Sequence, residues 1–221
     1  SQSRVAKHGS HNQKTHNPNK GGASDDLPEG WSRRDTKAEL SQRIGEWARS
    51  DEERERLVSE RDTWDVYDGP NGSKVIVDRN ANIPAPAVKE QLETVATLQS
   101  IAPVNRLQVE IADRAFEGEG MPPSVKGMTK LHGEVIYLRP TAVTEGVDHG
   151  NGQLMPAFQS KPQLYSTVHE YGHVLDKRSA ATAREDYDNV FLTPNQRGAS
   201  RYAYDGDAKG NRGREAFAEA W

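Results

Sequence analysis

Apolar positions recur every three or four residues in some stretches of the chain and every second residue in others. Leu40, Ile44 and Trp47 predict a helix over Thr36 to Ser50. Asp51 reads as the N-cap of a second, strongly charged helix that runs toward Arg61. Trp64–Tyr67 and Lys74–Val77 flank Asp68–Gly72, which is a β-hairpin signature. Pro84 and Pro86 open a helix with Val88, Leu92 and Val95 on one face. Leu107–Ile111 alternates with period two and reads as a strand, and Glu134–Leu138 is another, closed by Pro140. Gly118 to Gly127 reads as a loop and Asp148 to Gly152 as a Gly-rich turn. Leu164, Val168, Tyr171 and Leu175 form an apolar stripe on a helix over Leu164 to Asp176. Near the end, Phe217 and Trp221 share one face of a last, alanine-rich helix.

The order helix, hairpin, helix, strand, strand, helix, helix predicts an α+β domain with a helical N-terminal part and a small mixed sheet. Ser1 to Gly30 has almost no large apolar residue and is expected to be a disordered tail, leaving 31–221 as the domain. The tail carries His8, His11 and His16, but nothing around them fixes a geometry, so they read as solvated. His132 and His149 read as structural or exposed.

Composition narrows the function. A net charge of −4 over 221 residues argues against a nucleic-acid footprint, which would be basic. There is no Cys, so a disulfide framework and a thiolate metal site are both excluded. No apolar run approaches the ~20 residues of a membrane span, and no signal peptide is visible. Compartment stays open. The chain starts on Ser and stops inside a helical pattern, so a piece of a longer protein or a processed product is expected.

The chemistry gathers at His169-Glu170-Tyr171-Gly172-His173, an HExxH pattern on a helix. Positions i and i+4 lie one above the other, so two imidazoles stand side by side and can grip one metal ion. Glu170 lies about 100° further round, too far to be a third ligand but within reach of a water in an open coordination position. A tetrahedral Zn²⁺ with three protein ligands lowers the pKa of that water to about 7. A carboxylate at Glu170 can take the proton and later pass it on.

A third ligand is needed. The metzincin extension requires Gly and then His at positions held here by Asp176 and Ser179, so that class is excluded. Glu215 and Glu219, spaced i and i+4 on the last helix, offer another route. One carboxylate can bind metal while the other holds a metal-bound histidine by its free N–H. Asp176, one turn beyond His173, is expected to support the histidines rather than bind metal. Glu185, Asp186, Asp188, Asp205 and Asp207 are rival acids between the two helices. The Gly-rich stretch Asp205 to Gly213 reads as a mobile loop.

HEYGHVLD followed some forty residues later by REAFAEAW resembles the gluzincins of the anthrax lethal factor type. The resemblance covers roughly Leu164 to Trp221. It implies a zincin-like fold, Zn²⁺ held by His169, His173 and Glu215, and Glu170 as general base. It also implies an oxyanion-stabilising Tyr, for which Ser200-Arg201-Tyr202-Ala203 matches the family's context and Tyr204 is a rival. By analogy, Glu134–Leu138 or a short strand near Leu154 would hold substrate backbone by strand addition. Separately, KHGSHNQKTH in the tail resembles a short segment of phage portal, head-morphogenesis and related structural proteins. That implies a module of a virion protein with other phage structural proteins as partners.

The expected function is a zinc-dependent endopeptidase acting on a peptide or protein substrate, with no nucleic-acid or membrane partner. Two alternatives stand beside it. One is a non-catalytic zincin-fold module of a phage particle, against which the intact His-Glu-His set argues, because structural zinc sites are usually closed by four protein ligands. The other is a delivered toxin or effector protease using the same chemistry.

Overall fold

A computed structural model describes residues 26–34, 50–52, 54–55, 63–147, 156–179 and 218. It has mixed α+β architecture. The strands are β1 (Ser32–Arg33), β2 (Trp64–Asp68), β3 (Lys74–Asp78), β4 (Gln108–Ile111), β5 (Gly127–Lys130) and β6 (Val135–Leu138). The helices are α1 (Ala85–Ile101), α2 (Arg114–Gly118), α3 (Pro140–Thr144), α4 (Pro156–Gln159) and α5 (Pro162–Arg178).

The strands form one mixed sheet in the order β1-β2-β3-β4-β6-β5. The predicted hairpin is β2–β3, antiparallel, with Trp64 opposite Asp78. Its turn passes through Asn71 at φ 54 and Gly72 at φ 69. The chain then crosses by α1 to β4, which runs parallel to β3. β6 runs parallel to β4, and β5 closes the sheet antiparallel to β6.

Alternation along the strands sends Val75, Val77, Val109, Ile111, Ile136 and Leu138 into the core. They meet Val88, Leu92, Val95 and Leu98 from α1 and Tyr171 and Val174 from α5. A polar staple joins the two helices: Gln91 donates to the Gln163 carbonyl at 3.0 Å and accepts from Thr167 Oγ1 at 2.5 Å.

α5 is a weak helix by propensity. Gly172 alone costs roughly 1 kcal/mol against Ala, and Thr167, Val168 and Val174 are β-branched. Burying Tyr171 and Val174 completely contributes roughly 1.5–3 kcal/mol each, so packing decides the conformation. Pro162 suits the first position, where its missing N–H costs nothing. Lys177 and Arg178 suit the last turn, where they face the negative end of the helix. Arg178 Nε also donates to the Gly133 carbonyl at 2.9 Å, tying the helix to the β5–β6 turn.

Several sequence expectations change. The loop expected over Gly118 to Gly127 ends where β5 begins, a strand the alternation rule did not reveal because its one large apolar residue, Met128, has no apolar partner two residues away and its buried positions, Met128 and Thr129, are adjacent rather than alternate. Of the two stretches expected to hold substrate backbone, Glu134–Leu138 contains β6, which lies between β4 and β5 and is paired on both sides, and the stretch near Leu154 lies outside the described residues. Among the described strands, β5 is the edge on this side of the sheet and β1 the other. On α5 the buried surface is wider than the Leu164, Val168, Tyr171, Leu175 stripe, since Tyr165, Ser166, Thr167, His169, Glu170 and Asp176 are buried too. Asp51 is helical, and Ser50 precedes it as the cap: the Ser50 carbonyl accepts from Arg54 N–H at 3.0 Å.

Within the stretch assigned to the tail, Asp26 pairs with Lys89 at 2.8 Å and Leu27 packs on the core. The expected helix over 36–50 has only Ser50 among the described residues, and the Asp148 to Gly152 turn has none. Among the described residues no helix is long and apolar enough to cross a membrane.

Candidate functional site

His169 and His173 stand one turn apart on α5 with their Nε2 atoms 3.1 Å apart. The rings meet nearly at right angles, with centroids 4.7 Å apart. A separation of 3.1 Å is the length of an N–H···N hydrogen bond, and it also suits two ligands of one ion. At metal–nitrogen bonds of ~2.0–2.1 Å, two nitrogens so placed subtend about 100°, close to tetrahedral. As ligands of one ion the two Nε2 atoms would converge on a single point.

His169 is buried, and its orientation has a local cause. The Tyr165 ring, one turn earlier, stacks on it with centroids 5.4 Å apart and 24° between planes. Tyr165 Oη lies 3.4 Å from His169 Nδ1. A proton on Nδ1 directed at that oxygen leaves Nε2 free to accept or to ligate. Phe158 of α4 packs edge-on against Tyr165 at 5.6 Å and holds it in place.

Glu170 is buried on the neighbouring face, against β5. Thr129 Oγ1 lies 2.6 Å from Glu170 Oε2 and 3.1 Å from the Glu170 carbonyl. The hydroxyl has one proton, and the shorter contact to the carboxylate is where it is best placed. Gly127, two residues earlier on the same face of β5, leaves the space that the Glu170 side chain fills.

Both His169 and Glu170 line a cleft of about 860 Å³. Tyr165 and Ser166 of α5 form one wall, and Ser124, Lys126 and Gly127 form another. The second wall is anchored from beneath by buried Arg139. Its guanidinium donates to the carbonyls of Val125 at 2.7 Å, Met121 at 3.0 Å and Pro122 at 3.1 Å, and to Asp113 at 2.9 Å. Lys126 is drawn to α3 by a 2.8 Å bond from Nζ to Thr141 Oγ1.

The backbone of β5 completes the cleft rim. Arg139 N–H donates to the Lys126 carbonyl at 2.9 Å, so 126/139 is in the hydrogen-bonded phase of the ladder. The register puts Met128 opposite Tyr137 and Lys130 opposite Val135 in the same phase. Gly127 and Thr129 therefore turn their N–H and C=O groups away from β6, toward the outer edge. Among the described residues no strand pairs with that edge.

Of the residues singled out by sequence, the structure brings together His169, Glu170 and His173. Asp176 is buried one turn further on. His132 is exposed, as expected. Glu215, Glu219, Tyr202, Tyr204, Glu185, Asp186, Asp188, Asp205, Asp207, His8, His11, His16 and His149 lie outside the described residues. Ala218, between the two glutamates of the last segment, is helical and buried. Among the described residues no group of three or more His, Asp or Glu side chains is placed to hold a metal ion together.

Thr129, Gly127 and Tyr165 went unread in the sequence. Tyr165 was findable, since it sits four residues before His169 on one helix face. Thr129 and Gly127 approach Glu170 only through folding across some forty residues. Comparison of the chain with protein-family models, curated proteins and solved structures finds no match.

Proposed function

We propose that the chain is a zinc-dependent endopeptidase with a zincin-like fold. His169, His173 and Glu215 would hold the Zn²⁺, Glu170 is the general base, and Tyr202 steadies the oxyanion. The observation that carries the reading is the approach of the two Nε2 atoms to 3.1 Å, beside a buried carboxylate lining the same cleft as His169. Two imidazoles and a carboxylate are an ordinary zinc donor set.

When bound, the ion supplies a Lewis acid that polarises a carbonyl and acidifies water. The chain's own groups do the rest. Glu170 accepts a proton from the attacking water and returns it to the leaving nitrogen. Thr129 holds Oε2 of that carboxylate, leaving Oε1 to work. The outward N–H and C=O of Gly127 hold the substrate backbone in extended form beside Glu170, a role expected of Glu134–Leu138 or a strand near Leu154 and here given to β5. The tail segment's likeness to virion proteins supports a setting in a phage particle, with its structural proteins as substrate or partners.

The test pairs metal analysis with a digest of denatured casein. The parent chain should bind zinc and cut; Glu170→Gln should keep zinc and lose cleavage. Turnover by Glu170→Gln at the parent rate, or a parent chain that binds no zinc, overturns the reading.

A further inference from the structure

Lys177 lies one turn beyond His173 on α5, and its Nζ donates to the Thr129 carbonyl at 2.5 Å. That carbonyl is one of the four backbone groups β5 turns outward, the others being Thr129 N–H and the N–H and C=O of Gly127. A strand added antiparallel to this edge exchanges two hydrogen bonds with Gly127, and its next exchange falls at Thr129. At that second station the acceptor already has a cation on it. A charge-assisted bond is roughly twice as strong as a neutral one, so an incoming amide does not displace it. The carbonyl's remaining lone pair sits beside the ammonium, which repels the positive end of an approaching N–H.

We propose that Lys177 sets the length of peptide backbone the edge of β5 can hold, ending a substrate's strand pairing just beyond Gly127. The occupant is an extended peptide, and the proposal rests on the peptidase reading above. A lysine on a sheet edge has a plainer use, which is to prevent edge-to-edge pairing of two copies. The two roles differ in what removing the ammonium does.

The experiment uses the full 221-residue chain loaded with Zn²⁺. The probe is a nested series of synthetic peptides, lengthened one residue at a time at either end of a bond the protein cuts in casein. For the parent, kcat/KM should stop rising at the residue that reaches Thr129. Lys177→Met and Lys177→Gln should each gain one further step of about three- to tenfold, the size of one net backbone hydrogen bond. Lys177→Arg, which keeps a charged donor, should return the parent's plateau. The same plateau in all four proteins overturns the proposal and leaves the peptidase reading intact. So does self-association of Lys177→Met in sedimentation with no change in length dependence. A parent that cuts no peptide overturns the peptidase reading, and the role of Lys177 with it.

Discussion

Gly127 and Glu170 are in direct apposition: a methyl group at Gly127 would stand 2.9 Å from both Cγ and Oε1 of Glu170. The proposed general base therefore occupies a space that exists only because β5 has no side chain there. Gly127→Ala must move something, and the flexible Glu170 side chain moves more easily than backbone. Cleavage should fall at least about tenfold, on the scale of the 10²–10⁴ that a positioned base contributes. Thermal unfolding should change little and zinc content not at all. Unchanged kcat would show that Glu170 does not need this position.

Thr129 tests the same carboxylate from its other oxygen. Thr129→Val keeps the shape and removes the donor to Oε2, while Thr129→Ser keeps the donor. Kinetics on one peptide should show kcat reduced about 10- to 100-fold in the Val variant, the usual cost of losing a group that orients a site. The Ser variant should recover most of it. Equal losses in both would point to packing of the methyl group instead.

The third ligand is open to direct measurement. Glu215→Ala should strip the protein of zinc, whereas Glu219→Ala should weaken zinc about 10- to 100-fold by releasing a histidine N–H. Full zinc occupancy in Glu215→Ala, measured by elemental analysis, moves the ligand to one of the rival acids between 185 and 207.

Alkaline stability should report on Tyr171. Burial pushes its hydroxyl up from 10.0 to about 12, partly opposed by Arg178. As pH rises past 10 the unfolded chain loses this proton first while the folded chain keeps it. Stability is therefore whole below pH 10 and declines toward pH 12. Tyr171→Phe should show a shallower decline in urea midpoints over that window. It should not be flat, because burial also raises Tyr67 and Tyr137. At neutral pH the same variant should lose about 1 kcal/mol with the 2.6 Å bond to the Ala102 carbonyl.

Local rules determined much of this protein from its sequence. The β2–β3 hairpin, α1, β4, β6 and α5 were all legible, because each depends on the period of apolar positions within a few residues. So was the pairing of His169 with His173, since i and i+4 on one helix need no knowledge of the rest of the chain. Neighbours brought by long-range packing were not legible. β5 has one large apolar residue and no alternation to announce it, and its place at the sheet edge follows from pairing with β6 and from β6 lying on β4. That placement took the expected substrate strand away from Glu134–Leu138, put Thr129 and Gly127 against Glu170, and set Lys177 over the Thr129 carbonyl. Periodicity specifies which face of an element is buried; which other element buries it is decided only when the whole core closes.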